Sequence, residues 1–355
     1  MALARNHRAL ILLLLLLLLA FVTPALAQCE SDTVDRKCHD KEKSLKLKII
    51  AICSILFSSA AGVCLPLLSR FVPVLHPNGN LFLLVKAFAS GVILATGYMH
   101  VLPDSFNDLT SPCLPEKPWK KFPFTTFVAM LSAVVTLMVD SLAMSWYKKR
   151  VRGDKVLTVR SDRVEKQSGD MEKFGHDQSN KGHWESEQES ESLMRHRVML
   201  SYAWVLELGI VVHSVVIGLA MGASDNFCTI RPLIAALCFH QLFEGMGLGG
   251  CILQSEYKLK MKATMVFLFA STTPFGIALG IALSNVYSET SPTALIVVGI
   301  LNACSAGLLN YMALVDLLAS DFMGPKLQGS MKLQMRAYVA VLLGAGGMSL
   351  MAKWA

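Results

Sequence analysis

Two stretches carry residues that could do chemistry where the surrounding sequence is fit only for hydrocarbon. His213-Ser214-x-x-Ile217-Gly218 lies in ELGIVVHSVVIGLAMG, and His240-Gln241-x-x-Glu244-Gly245 in HQLFEGMGLGG. The two share a frame: His, a polar neighbour, and Gly five positions after the His. A charged group at the centre of a bilayer costs about 2.5–3.5 kcal/mol on insertion scales, so acids and imidazoles there mark function. Two imidazoles and one carboxylate suit Zn²⁺, Fe²⁺ and similar borderline ions. They suit Ca²⁺ and Mg²⁺ poorly, because those ions take mostly oxygen.

Further polar residues stand in or beside apolar runs. His100 and Asp104 are spaced i, i+4 in GYMHVLPDSFNDL and share one helical face near its outer end, with Asp108 following in the loop. They read as a cation-collecting mouth, or else as an interfacial histidine and a capping acid. Asp140 is the one charge in FVAMLSAVVTLMVDSLAMSW and reads as part of a water-filled route on the inner side, or else as an acid held by a structural partner. Glu207 lies further inward on the segment that carries His213. His176, His183 and His196 punctuate a long hydrophilic stretch, where they could bind metal loosely or be chance histidines in a solvated loop.

The elements that must position these residues are transmembrane helices. The chain of 355 residues is 53% hydrophobic and 17% charged, with a mean hydropathy of +0.48. That excludes an ordinary soluble domain. Eight apolar segments of spanning length fall near 48–69, 81–103, 122–147, 198–222, 232–253, 263–285, 293–315 and 336–354. The expected fold is all-α, an integral membrane bundle of eight transmembrane helices. Residues 1–27 read as a secretory signal peptide, with Arg5 and Arg8 before a leucine run and Ala25-x-Ala27 before Gln28, the alternative being an uncleaved first anchor. Residues 28–47 form an extracellular segment in which a Cys29–Cys38 bridge is plausible. Helices one to three occupy 48–147, a mobile cytosolic loop 148–197, and helices four to eight 198–355. Lysines and arginines after the third, fifth and seventh segments put those loops in the cytosol and both chain ends outside.

On this topology His213 and His240 meet at one depth. Glycines on both of their helices (Gly209, Gly218, Gly222; Gly245, Gly247, Gly249, Gly250) are expected to let the two backbones approach closely. Pro274 is expected to kink the sixth segment, with Thr272 and Thr273 meeting the freed carbonyls.

These stretches resemble the ZIP family of metal-ion transporters, and most closely its plant zinc- and iron-regulated branch. ATGYMHVLPDSF (95–106), MLSAVVTLMVD (130–140), ELGIVVHSVVIGLAMG (207–222) and HQLFEGMGLGG (240–250) carry the resemblance, which runs from about residue 47 to the end. It implies a metal site between the fourth and fifth helices at His213, Ser214, His240, Gln241 and Glu244. It implies an entrance at His100 and Asp104, and an inner route past Glu207 and Asp140. Where some members have a second acid on the fourth helix this chain has Ile217, so a one-ion centre is expected.

The function read from all this is transport of divalent transition-metal ions into the cytosol, zinc first, then iron, manganese or cadmium. The home is expected to be the plasma membrane, with another secretory-pathway membrane such as the vacuole as the alternative. The partners are the metal ions and the lipid bilayer. No cofactor, no nucleic acid and no enzymatic activity are expected, and a homodimer is left open. A non-transporting metal sensor or receptor is the alternative. An intramembrane metallopeptidase is remote, because no H-E-x-x-H string occurs.

Overall fold

The computed structural model describes residues 38, 40–68, 79–142, 145, 210–254, 259–284 and 291–353. The expected signal peptide, the 148–197 loop with His176 and His183, and Glu207 all lie outside the described residues. The regular elements that position the site are helical: α1 Lys41–Leu68, α2 Asn80–Leu109, α3 Phe124–Leu142, α4 Ile210–Ala223, α5 Phe227–Gln254, α6 Leu259–Leu283, α7 Pro292–Phe322 and α8 Met331–Ala352. Six of them (α1, α2, α3, α6, α7 and α8) are long and apolar enough to cross a membrane. The described part of α4 is shorter. In α5, of 28 residues, the polar run through His240, Gln241 and Glu244 dilutes the apolar composition.

Polar caps set several helix starts. Asp40 accepts from the backbone N–H groups of Glu42 and Lys43 at the start of α1, and Asn226 caps Cys228 and Thr229 at the start of α5. Those amide hydrogen bonds, the Lys43 one foremost, hold the exposed Asp40 carboxyl below its ordinary range. Ser291 and Ser330 do the same for α7 and α8. Capping starts α1 at Lys41, seven residues before the expected 48. Lys48 is then 3% exposed, with its ammonium 3.6 Å from Asp225.

Two helices run past their expected ends through π-helical turns, Thr96–Val101 in α2 and Met312–Ala319 in α7. Pro103 follows the first. It lacks an N–H and would clash with the carbonyl four residues back, and a locally widened helix relieves both. The chain therefore continues to Leu109, and Asp108 sits in the last helical turn rather than in a loop. At Pro274, α6 also continues. The Ser271 and Thr272 hydroxyls do not reach the carbonyl that the proline frees, but donate to Phe267 and Leu268 one turn earlier.

The expected Cys29–Cys38 bridge is not formed. Cys38 is disulfide-bonded to Cys228, 190 residues away. This joins the starts of α1 and α5, so these helices run parallel. The Ser44 hydroxyl donates to the Ser224 carbonyl at the same end. Cys113, in the loop after α2, is disulfide-bonded too.

The closest helix approaches pair non-consecutive helices. Gly62 of α1 meets Leu242 and Gly245 of α5, and Gly218 and Gly222 of α4 meet Thr273, Gly276, Ile277 and Gly280 of α6. Gly91 of α2 meets α8 at Val341 and Ala345, and Gly307 of α7 meets α3 at Ala129. This corrects the expectation that the glycines of the fourth and fifth segments face each other. Gly218 and Gly222 turn onto α6, Gly245 and Gly249 onto α1, and Gly247 and Gly250 toward Ile93, Leu317 and Phe82 of α2 and α7, while Gly209 lies outside the described residues.

Candidate metal centre

Three imidazoles form a triangle at the middle of the bundle. Ring centroids are 5.7 Å apart for His213–His240, 6.0 Å for His100–His240 and 6.2 Å for His100–His213. The sequence reading put His100 at the mouth. The structure puts it beside the other two, 5% exposed, on the π-helical turn of α2. Its Nδ1 is 3.8 Å from Asp104 Oδ2, while its Nε2 is buried without a hydrogen bond. Asp104 is 40% exposed and faces outward. At 3.8 Å the pair is an electrostatic contact and not a hydrogen bond.

Ser214, Gln241 and Glu244 complete the polar set. His213, Ser214 and Gln241 are each 1% exposed, and His240 and Glu244 0%. The Ser214 hydroxyl, the Gln241 amide nitrogen, both Glu244 oxygens and all four nitrogens of His213 and His240 have no hydrogen-bond partner. A buried polar group left so costs about 1–3 kcal/mol, which makes this the most expensive place in the described bundle unless a ligand uses these atoms. Two imidazoles on one tetrahedral ion, with nitrogens at about 2.0–2.1 Å, put their ring centroids about 5 Å apart. The observed spacings are open by about 1 Å, and among the described residues no three His, Cys, Asp or Glu groups are closed to metal-bonding distance.

Ile217, in the frame position of Glu244, packs with Ile55, Met221, Leu237 and Ile277. It belongs to an apolar cluster, so the polar set is lopsided toward α5.

A second acidic place lies at the opposite end from the disulfide. Asp140 of α3 is 4% exposed, with the Tyr311 hydroxyl beside it. Asp316 of α7 is within electrostatic reach of it and makes no hydrogen bond. Asp316 was missed in the sequence because the seventh segment was ended at 315. A lone acid inside LNYMALVDLLAS was the available signal. Gly97 touches Asn310, so by helix rise Asp316 is about 13 Å from the level of His100 along the bundle. The nearby Lys86–Asp321 ion pair of 3.0 Å, between α2 and α7, was missed as well.

Residues 45–352 match the family described as ZIP Zinc transporter. The chain belongs to the ZIP family. It is therefore a membrane transporter and not an enzyme. It is 61% identical to Fe(2+) transport protein 1 of Oryza sativa subsp. japonica over 329 residues, covering 90% of this chain and 87% of that one. It is 56% identical to Zinc transporter 7 of Arabidopsis thaliana, covering 95% of each. It is 53% identical to Fe(2+) transport protein 1 of Arabidopsis thaliana, covering 99% of each.

Proposed function

We propose that this ZIP chain carries divalent transition-metal ions across a membrane through the centre made by His100, His213, His240 and Glu244, with Ser214 and Gln241 as neutral donors. The observation that supports this most is the triangle of three buried imidazoles, with the buried Glu244 carboxylate one turn from His240 on the same face of α5. Zinc is the first cargo. Iron, manganese and cadmium ions share its ligand preferences, and the similar relatives are named for zinc and for Fe(2+) alike.

On this reading α1 to α8 are eight spans with both chain ends outside, and the disulfide end faces the oxidising side. The ion enters near Asp104, loses water as the three rings close by about 1 Å, and leaves past Asp140, Asp316 and Glu207 toward the 148–197 loop. The rings sit on two bodies. His213 and His240 are on helices packed into the α1/α5 and α4/α6 pairs, and His100 is on α2, packed against α7 and α8. Relative motion of the two bodies would open and close the centre. The signal-peptide reading of residues 1–27 puts the chain in the secretory pathway, with the plasma membrane as the first home and another membrane such as the vacuole as the alternative.

The test is uptake of radioactive zinc by cells expressing His100→Ala, His213→Ala or Glu244→Ala, scaled to surface protein. Each should lose uptake. Parent-level uptake by any of the three, correctly delivered, overturns the centre. Zinc flux in reconstituted vesicles separates transport from a non-transporting sensor, and competition among metals ranks the cargo.

A further inference from the structure

At the disulfide end, a cavity of about 220 Å³ opens between α2, α4, α5 and α7. Its position is tied to the histidines by all three helices that carry them. Asp108 is eight residues beyond His100, Met221 eight beyond His213, and Leu233 seven before His240. At 1.5 Å per residue, the cavity lies about 10–12 Å above the triangle along the helices that carry it.

The chemistry of the cavity differs from that of the centre below. Asp108 is its one charged lining group, the Ser224 and Thr229 side chains bring hydroxyls, and the remaining wall is apolar, including Met221, Leu233 and Leu295. Nitrogen ligands are absent from this lining. Asp108 is also held in place: the amide of Asn302, 7% exposed on α7, donates to its Oδ2 at 3.4 Å, leaving the second oxygen for a ligand. Six waters at about 30 Å³ each, roughly 180 Å³, fit the volume.

We propose that this cavity is a separate outer capture site, in which Asp108 holds a divalent cation that still has its water shell, before dehydration at the histidines. The inference deepens the transport reading and rests on it. An oxygen-only site beside one carboxylate attracts by charge and does not tell borderline ions from hard ones. Discrimination then belongs to the imidazoles, and capture belongs to Asp108. Low-dielectric walls around a single charge concentrate its field on an entering cation.

The experiment is zinc-uptake kinetics per surface copy for the parent, Asp108→Asn, Asp108→Glu and His213→Ala. A unit charge acting across one water layer on a divalent ion at about 5 Å changes occupancy about fifteenfold in water. Asp108→Asn should raise KM for zinc by that factor with the maximal rate kept, and Asp108→Glu should restore it. The KM difference should shrink as ionic strength rises, which a purely structural role would not produce. In the parent itself, external Mg²⁺ at millimolar level should raise the zinc KM competitively, and Asp108→Asn should lose that competition. An unchanged KM in Asp108→Asn, a fall in maximal rate alone, failure of Asp108→Glu to restore KM, or absence of Mg²⁺ competition in the parent each overturns the capture site. His213→Ala separates the two readings. If it keeps uptake, the central site fails; if it loses uptake while Asp108→Asn keeps the parental KM, only the capture site fails.

Discussion

A methyl group added at Gly62 strikes the contact that holds the His240 helix in place. The Cβ of Gly62→Ala would lie 2.2 Å from the Leu242 carbonyl oxygen and 3.0 Å from its carbon, both backbone atoms that cannot swing away. Relief to an ordinary separation needs α1 and α5 to part by about 1 Å, and overpacking of this kind costs about 1–3 kcal/mol. Leu242 follows His240 and Gln241 directly. The shift therefore reaches the triangle, whose sides are already 5.7–6.2 Å against the roughly 5 Å that a shared ion requires. Metal sites tolerate about 0.2 Å in ligand distance, so zinc uptake should fall at least about tenfold, and the purified protein should melt at lower temperature. Gly346→Ala is the control, because nothing lies within 4 Å of its added Cβ. It should leave both readouts at parental level. Zinc uptake and melting of Gly62→Ala equal to the parent would refute the reasoning. Equal damage from Gly346→Ala would refute it too, by showing that any glycine loss in these helices suffices.

Other outcomes follow from particular contacts. Cys38→Ser, Cys228→Ser and the double variant should lose the same stability, about 2–4 kcal/mol, because each removes one bond between α1 and α5; thermal melting checks whether the double variant is no worse than either single. Lys86→Met leaves the half-buried Asp321 without its 3.0 Å partner and should destabilise more than Lys86→Met/Asp321→Leu, which removes both charges; comparing the two melting temperatures decides it. Asp316→Asn and Asp140→Asn should each depress zinc flux, and the double variant should be less than additive, since the two carboxylates lie within electrostatic reach of each other. Ile217→Glu would set a carboxylate against Ile55, Met221, Leu237 and Ile277; it should lower the melting temperature in zinc-free buffer and recover part of that loss on adding zinc.

Much of the site was legible because polar residues in apolar runs are costly and therefore conspicuous. His213, Ser214, His240, Gln241 and Glu244 were found by that logic and are all buried at one place. His100 was found but set too far outward, because the second segment was ended at 103 and the π-helical turn that carries the helix on leaves no periodic signature. Asp316 was lost for the same reason at the second π-helical turn. Asp108 read as a loop residue, although α2 reaches Leu109.

Local chemistry determined the helices. Apolar length, serine, aspartate and asparagine caps, and the penalty on buried charge are all properties of residues near one another in the chain. Which helices touch was decided only in three dimensions. Gly62 meets Leu242 and Gly245, Gly218 meets Gly276, and Cys38 finds Cys228 rather than Cys29, because close packing depends on which faces complement each other across long separations. The same packing turned the glycines of α4 and α5 away from each other. It closed the histidine pair expected from two helices into a triangle drawn from three.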